Sequence, residues 1–231
     1  MAQALTHEVV IIGGGSAGIA TASSMLRRRP GLDIAIVEPA EDHYYQPGWT
    51  MVGGSTITYR ILIVAPGIRL AWEKIAGLED TLGKNGVTSN YRYDLAPYTW
   101  ELVQGLKSGR AIFSQPPMPI KCAGAPQKAM YLSCDAWADG HVLDNIDVEF
   151  RNAGGVLFGV KEYLPALMEY VEKYGIDLKL NQTLVAVDGP AKTATFKTET
   201  GEEVVAFDML HVVPPQVAPQ FVADSPLAHA E

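Results

Sequence analysis

Residues 9–18, which read VVIIGGGSAG, decide the fold of this chain. The run at residues 9–12 is apolar throughout, which is typical of a strand buried on both faces. A Gly-x-Gly-x-x-Gly pattern follows, and residues 19–29 are rich in alanine, serine, methionine and leucine, which suits a helix. Residues 32–37 form a second apolar run. The stretch therefore predicts a strand–helix–strand unit with a glycine loop before the helix.

Each glycine of the pattern has a physical role in binding a dinucleotide. Gly13 permits the tight turn, Gly15 lets the backbone approach a pyrophosphate, and Gly18 lets the helix pack on the strand. The N-terminus of the helix supplies unpaired N–H groups and a positive dipole for the phosphates. Glu38 ends the second strand about 20 residues after Gly18, where an acid that binds the ribose hydroxyls is expected. The pattern predicts a dinucleotide site without separating NAD from FAD.

Composition limits the classes of protein that remain. With 48% hydrophobic and 19% charged residues, the 231-residue chain has the balance of a folded globular protein. A net charge of −8 without a basic cluster argues against nucleic-acid binding. No apolar run is long enough to span a bilayer, and the first eight residues lack the features of a signal peptide. We expect a cytoplasmic protein or one peripheral on a membrane surface.

The remaining sequence predicts an α/β fold with two dinucleotide-type domains, at residues 1–107 and 108–231. Helices are expected at 95–107, 126–132 and 160–174, and strands at 59–64, 110–114, 148–150, 176–180 and 209–213. Three short strands at 183–187, 194–197 and 204–207 predict a β-meander. The second domain is degenerate, because prolines replace the glycine pattern after its first strand. Residues 38–58 show no helical period, although parallel strands need a crossover.

The two cysteines lie in different contexts. Cys122 belongs to the segment KCAGAPQK at residues 121–128, which follows a predicted strand and precedes a predicted helix. The helix N-terminus, Lys121 and Lys128 favour its thiolate form and so its reactivity. Packing as a small buried hydrophobe is the alternative for this residue. Cys134 is expected to be structural, and the isolated His141, His211 and His229 are expected to be surface residues or satisfied structural ones. The spacing of His, Cys and acidic residues predicts no metal site.

Four segments together resemble the sulfide:quinone oxidoreductases. They are the N-terminal unit, residues 43–54 (HYYQPGWTMVGG), residues 62–67 (LIVAPG) and the cysteine segment at 121–128. The resemblance runs in order over nearly the whole chain. It implies a flavoprotein with the two-dinucleotide-domain fold of the disulfide reductases.

The resemblance also implies a cofactor and roles for particular residues. It places FAD in the first domain, with the cofactor-binding residues Gly13, Gly15, Ser16, Ala17, Gly18, Glu38, Gln46, Trp49, Ala65, Pro66 and Gly67. The glycines would face the pyrophosphate, Glu38 the adenosine ribose, and the residues from Gln46 onward the flavin side. Cys122 matches the catalytic cysteine that takes up the sulfur of sulfide. Two electrons would pass through the flavin to a quinone near a membrane.

Two departures from the family pattern affect this interpretation. The family has a longer segment between residues 53–54 and the strand at 62, and it continues past residue 231 with a flavin-binding Gly-Asp motif, a second redox cysteine and a quinone-binding region. We therefore expect an internally shortened and C-terminally truncated relative with incomplete turnover. Two alternatives stay open. One is an FAD-dependent NAD(P)H or disulfide-type reductase, which the missing second glycine pattern disfavours. The other is a non-catalytic dinucleotide-binding remnant.

Overall fold

The computed structural model describes residues 5–38 and 57–228. The chain divides into two compact units. The first comprises the residues up to Arg69 together with those from Val217 onward, and the second comprises Leu70–Gln216.

The secondary structure is mixed α/β. The strands are β1 (Leu5–Ile12), β2 (Ile34–Val37), β3 (Ile57–Val64), β4 (Arg69–Leu70), β5 (Val87–Thr88), β6 (Gly109–Gln115), β7 (Ile146–Asn152), β8 (Asp177–Lys179), β9 (Thr183–Asp188), β10 (Thr193–Thr198), β11 (Gly201–Ala206), β12 (Met209–His211) and β13 (Gln216–Val217). The helices are α1 (Ser16–Arg28), α2 (Ala96–Gly105), α3 (Ala125–Asp139), α4 (Leu164–Lys173) and α5 (Gln220–Ala223). Four short 3₁₀ helices lie at Trp72–Lys74, Tyr93–Leu95, Leu143–Asn145 and Lys161–Tyr163.

The first unit contains a three-stranded parallel sheet in the order β2–β1–β3. The central strand β1 is apolar on both faces, because Val9, Val10 and Ile11 are all buried. Helix α1 covers one face and contributes Ala22 to a core with Val9 and Ile11. Strands β2 and β3 lie on opposite sides of β1, and each pairs with it in parallel.

The second unit is built around a five-stranded parallel sheet in the order β5–β12–β6–β7–β8. The first strand of its strand–helix–strand series, β6, lies in the middle of this sheet. An antiparallel meander in the order β11–β10–β9 follows β8 in the sequence and precedes β12. A two-stranded sheet pairs β4 with β13.

Alternation along β6 organises the second unit into three layers. Ala111 and Phe113 pack into a core with residues of α2, α3 and α4, whereas Ile112 packs into a core with residues of the meander. The parallel sheet is therefore covered by helices on one face and by the meander on the other. This double burial explains why Ala111, Ile112 and Phe113 are apolar in succession and do not alternate with polar residues.

A buried ion cluster joins the parallel sheet to the meander. Arg151 of β7 is 1% exposed, and its guanidinium forms ion pairs with Glu149 at 2.6 Å and with Glu203 of β11 at 2.8 Å. The same group donates to Gln182 Oε1 at 2.7 Å and lies over the ring of Phe196. The charge is thus paired and hydrogen-bonded throughout, as a buried guanidinium requires.

The structure confirms the predicted α/β class, the glycine loop between β1 and α1, and the meander. Its elements differ from the predicted ones mainly in length; α3, for example, runs through Ala125–Asp139 instead of ending at residue 132. The compact units also divide differently from the predicted boundary at residues 107/108. That boundary falls inside the second unit, because α2 packs on α3 and on β5. The predicted helix-free stretch before β3 lies largely outside the described residues.

Within residues 5–38 and 57–228, no helix is both long enough and apolar enough to cross a membrane.

Trp137 offers a test of the helical layer. It is 1% exposed, packs in the core beneath α3, and donates its indole N–H to Val103 O of α2 at 2.8 Å. We expect Trp137→Ala to lower the free energy of unfolding by about 3–5 kcal/mol, because it leaves a cavity and an unpaired carbonyl. Urea unfolding followed by circular dichroism measures this. Trp100→Ala, at a site that is 52% exposed, is the matched control and should cost about 1 kcal/mol or less. Equal losses in both variants would contradict the assigned packing.

Candidate functional site

The glycine loop of the first unit is shaped by close backbone contacts. Gly13 has a φ of +103° and donates its N–H to Val37 O at 3.0 Å. A Cβ on Gly13 would lie 2.4 Å from Ala65 O, and a Cβ on Gly18 would lie 1.8 Å from Gly13 O. Side chains are therefore excluded at both positions, which fits the roles predicted for a tight turn and for close packing of the helix on the strand.

The start of α1 leaves backbone donors at the loop. The helix begins at Ser16, and its first backbone hydrogen bond runs from Ile19 N–H to Gly15 O at 3.0 Å. Among the described residues, no side chain caps this end and no acid lies in the first turn. The N–H groups of Ser16 and Ala17 therefore head the helix as donors for an anion. Both residues are exposed.

Glu38 lies beside the same loop. Its carboxylate accepts the N–H of Gly14 at 2.6 Å, and a Cβ on Gly14 would lie 2.7 Å from the Glu38 Cβ. The structure thus brings the acid at the end of β2 next to the glycines, as the spacing predicts.

The turn after β3 completes this edge of the first unit. Ala65 donates its N–H to Ile12 O at 2.8 Å, and Gly67 has a φ of +75°. Ala65 and Pro66 are half-buried, and Gly67 is exposed. Because β2 and β3 flank β1 on opposite sides, this edge is the point at which an open α/β sheet forms a ligand crevice. Two of the predicted flavin-side residues, Gln46 and Trp49, lie outside the described residues.

The cysteine segment occupies the equivalent place in the second unit. It follows β6, the central strand, and leads into α3. The strand order reverses at β6, with β7 on one side and β12 on the other. The loop that bears Cys122 therefore lies at the carboxyl end of the strand where a dinucleotide domain would carry its phosphate loop.

This loop is poorly equipped for a pyrophosphate. The first residue of α3, Ala125, donates its N–H to Cys122 O at 2.8 Å, and the next residue, Pro126, has no N–H. Two of the backbone donors that a phosphate could use at a helix N-terminus are thus engaged or missing. This geometry supports the prediction that the second unit is a degenerate dinucleotide domain.

Cys122 is exposed and has an unusual backbone conformation. Its φ is +51°, in the left-handed region that non-glycine residues rarely adopt. Its exposure rules out the alternative in which it packs as a small buried hydrophobe. Cys134, in contrast, is fully buried within α3, and burial raises the pKa of its thiol to about 12. The structural role predicted for Cys134 is confirmed.

Lys121 directly precedes Cys122, and its side chain lies over an aromatic ring. Its ammonium is 5.8 Å from the centroid of the Tyr91 ring, and partial burial lowers the pKa of the ammonium, while the nearby Cys122 thiolate opposes that effect. Lys128, one turn into α3, is exposed. Lys121 thus lies beside Tyr91, and the charge of Lys128 is in solvent.

The structure adds three residues that the sequence analysis did not connect to Cys122. The Tyr91 hydroxyl donates to Lys121 O at 2.9 Å and to Cys122 O at 3.1 Å. Gln216 Oε1 accepts the Lys121 N–H at 2.5 Å. His211 accepts the N–H of Asn90, the residue before Tyr91, on Nε2 at 3.0 Å. Tyr91 and Gln216 are distant from Cys122 in sequence, and no local motif marks them.

His211 departs from the prediction of a satisfied structural histidine. Its ring is fully buried and stacks on Phe113. Because Nε2 accepts a hydrogen bond, the proton of the neutral ring is on Nδ1, which has no partner among the described residues. Burial lowers the pKa of His211 to about 4. His141 is exposed, as predicted, and His229 lies outside the described residues.

Within the described ranges, no group of three or more His, Cys, Asp or Glu residues could hold a metal ion.

The geometry above defines a protein of the dinucleotide-binding α/β class. No family model matches the chain. It is 36% identical to a mitochondrial sulfide:quinone oxidoreductase of Dictyostelium discoideum over 266 residues, which cover 96% of this chain and 59% of the relative. Its identity to the mouse mitochondrial sulfide:quinone oxidoreductase is 35%, with the same coverage of 96% and 59%.

Solved structures agree with this assignment at the level of the fold. The sulfide:quinone oxidoreductase from Aquifex aeolicus matches 95% of this chain and 61% of its own, with a TM-score of 0.72 and 18% identity. A chain of the Tetrahymena thermophila mitochondrial ATP synthase matches 99% of this chain and 68% of its own, with a TM-score of 0.73 and 17% identity. Over 96% of its length the chain is therefore similar to sulfide:quinone oxidoreductases. It spans about three fifths of the length of the curated relatives named above (59% of each).

The buried His211 predicts a specific pH dependence of stability. Its pKa is about 4 when folded and 6.5 in the unfolded chain, so the unfolded state binds the extra proton between these values. The free energy of unfolding should therefore fall as the pH drops through this window, by up to about 1.4 kcal/mol per pH unit from this group. His211→Gln should show a shallower slope in urea unfolding at pH 7, 6 and 5. The exposed His141→Gln should retain the wild-type slope; an unchanged slope in His211→Gln would contradict the assignment.

Proposed function

We propose that this chain carries the flavin-binding and sulfur-accepting parts of an FAD-dependent oxidoreductase that oxidises sulfide and transfers the electrons to a quinone. The observation that carries the proposal is the placement of Cys122. It is an exposed cysteine at the carboxyl end of the central strand β6, where a dinucleotide domain would bind phosphate. The similarity to proteins named sulfide:quinone oxidoreductases supports the same reaction.

The glycine loop at residues 13–18 of the first unit fits FAD. FAD is the cofactor that the similarity to the sulfide:quinone oxidoreductases implies. In this chain Gly13, Gly15 and Gly18 would receive the pyrophosphate at the start of α1, and Ser16 and Ala17 would donate their backbone N–H groups to it. Glu38 would bind the adenosine ribose after giving up its bond to Gly14. The turn Ala65-Pro66-Gly67 and the segment with Gln46 and Trp49 would lie on the flavin side.

Cys122 would accept the sulfur of sulfide. In the net step an S–S bond forms between HS⁻ and the Cys122 thiolate, and a cysteine persulfide anion results. This oxidation releases two electrons and the proton of HS⁻, and the bound FAD supplies the acceptor for them. Exposure of Cys122 gives sulfide access. Lys121 and Lys128 carry positive charge in the same segment of the chain, which favours the approach of the anion.

The electron acceptor proposed for the complete reaction is a quinone, the second substrate in the names of the relatives. Quinones with long apolar tails dissolve in the lipid bilayer. We therefore propose that the protein lies peripherally on a membrane surface. The relatives are named as mitochondrial proteins. A pyridine-nucleotide reductase is disfavoured, because prolines replace the glycine pattern in the loop between β6 and α3.

Gly18 gives a test of the FAD site. We expect Gly18→Ala to weaken FAD binding, because its Cβ would meet Gly13 O and push α1 away from the loop. FAD at a hundredfold excess over its Kd should stabilise the wild type by about 2.7 kcal/mol. Differential scanning fluorimetry with and without FAD should show that Gly18→Ala loses most of this shift. Gly105→Ala, where a Cβ meets nothing within 4 Å, is the matched control. A wild type that purifies colourless and is not stabilised by FAD would support the non-catalytic alternative.

Cys122 gives a test of the sulfur chemistry. The FAD-loaded protein is titrated with sulfide under anaerobic conditions while the flavin absorbance is followed. We expect bleaching of the wild type and no sulfide-dependent bleaching of Cys122→Ser, since the nucleophile is removed. Cys134→Ala, at the buried cysteine, should bleach like the wild type. Equal bleaching of wild type and Cys122→Ser would remove Cys122 from the mechanism, and fast stoichiometric bleaching by NADH would favour the reductase alternative.

A further inference from the structure

The backbone around Cys122 is held from three directions. The Cys122 carbonyl accepts the N–H of Ala125 at 2.8 Å and the hydroxyl of Tyr91 at 3.1 Å. The preceding carbonyl, of Lys121, accepts the same Tyr91 hydroxyl at 2.9 Å. The Lys121 N–H donates to Gln216 Oε1 at 2.5 Å. Both peptide groups that bound the Lys121–Cys122 pair are therefore fixed by side chains from distant parts of the second unit.

This restraint coincides with a strained conformation. A left-handed φ of +51° is unfavourable for a cysteine and persists only where surrounding contacts impose it. The turn bond from Ala125 alone is local and would allow the loop to relax. The two side-chain contacts are the additional contacts that can hold the strained geometry.

The two side chains are themselves well fixed. Gln216 is 4% exposed. Tyr91 is half-buried, and its N–H donates to Ser89 Oγ at 3.1 Å, next to the Asn90 N–H that is bound by His211. Ser89 and His211 are fully buried. A rigid support of this kind can transmit its position to the cysteine loop.

The protonation state of Tyr91 suits the role. Burial, and to a lesser extent the negative charge of the Cys122 thiolate, raise the pKa of the Tyr91 hydroxyl well above its usual range. The hydroxyl therefore stays a hydrogen-bond donor throughout the pH range in which Cys122 would react as a thiolate. A single O–H shared by two adjacent carbonyls fixes both peptide planes at once.

We propose that Tyr91 and Gln216 are positioning residues that lock the Lys121–Cys122 backbone in its left-handed conformation and so direct the Cys122 sulfur during sulfide oxidation. The catalytic part of this inference rests on the function proposed above. The locking part concerns the chain alone and can be measured without any substrate.

The locking part is tested with a nitroxide spin label on Cys122 in the full chain. Labelling under native conditions is confined to Cys122, because Cys134 is fully buried. We expect an immobilised spectrum in the wild type and a narrower, mobile spectrum in Tyr91→Phe, which deletes only the hydroxyl. Gln216→Met, a variant of similar size without the acceptor, should also be mobile. Tyr98→Phe is the matched control, because the Tyr98 hydroxyl accepts the N–H of Gly86, away from this loop.

The catalytic part is tested by flavin reduction in the FAD-loaded variants. Loss of alignment should slow reduction at saturating sulfide by at least about tenfold, because displacements of about 1 Å can cost a hundredfold in rate. The half-saturating sulfide concentration should change less than about twofold, since the access of sulfide is unaltered. Tyr98→Phe should match the wild type in both quantities.

The outcomes separate the two proposals. Wild-type spectra in both Tyr91→Phe and Gln216→Met overturn the lock. Mobile spectra with an unchanged rate of flavin reduction overturn the positioning role. Mobile spectra in these variants, together with a wild type that sulfide does not reduce, support the lock and overturn the proposed function.

Discussion

Helix α1 can lie directly on strand β1 because Gly18 has no side chain. A Cβ there would be 1.8 Å from the carbonyl oxygen of Gly13, well inside any permitted contact. The contact brings the N-terminus of the helix to the end of the central strand. The turn after β3 then closes on the same point, since Ala65 O lies where a Gly13 side chain would be. The glycine loop of the first unit is therefore shaped by backbone groups that approach one another closely. A side chain at Gly13 or at Gly18 would not fit.

The second unit uses the same position in its sheet for different chemistry. Its central strand β6 also ends where the strand order reverses, but the connection to α3 contains prolines and a cysteine instead of glycines. At the start of α3, Ala125 donates its N–H to the turn at Cys122, and Pro126 has no N–H. The loop therefore presents the Cys122 thiol at the position where a dinucleotide domain would bind an anion. The parallel sheet supplies the location, and the loop residues supply the reaction, which is the usual division of labour in α/β proteins.

Much of this arrangement could be predicted because it is encoded locally. The glycines, Glu38 and the cysteine loop are each defined by neighbours within a few residues of a strand end, so periodicity and spacing locate them. Tyr91 and Gln216 could not be found in this way, since they meet Cys122 only through tertiary contacts. The unpartnered Nδ1 of His211 likewise depends on the packing of β12 against β6. The boundary at 107/108 was misplaced for the same reason: the packing of α2 on α3 and β5 is invisible in their separate patterns.

The order of the units along the chain has a consequence for biosynthesis. Leu70–Gln216 form the second unit as one uninterrupted stretch, whereas the first unit combines residues before Arg69 with residues after Val217. During translation the second unit can therefore complete its core, including the buried Arg151 cluster, while the final segment of the first unit is still on the ribosome. The described residues of the glycine loop, Glu38 and the turn after β3 all leave the ribosome before the second unit begins, whereas Gln216, which supports the cysteine loop, is the last residue of that unit. The support of the cysteine loop is therefore complete only when the whole second unit has been synthesised.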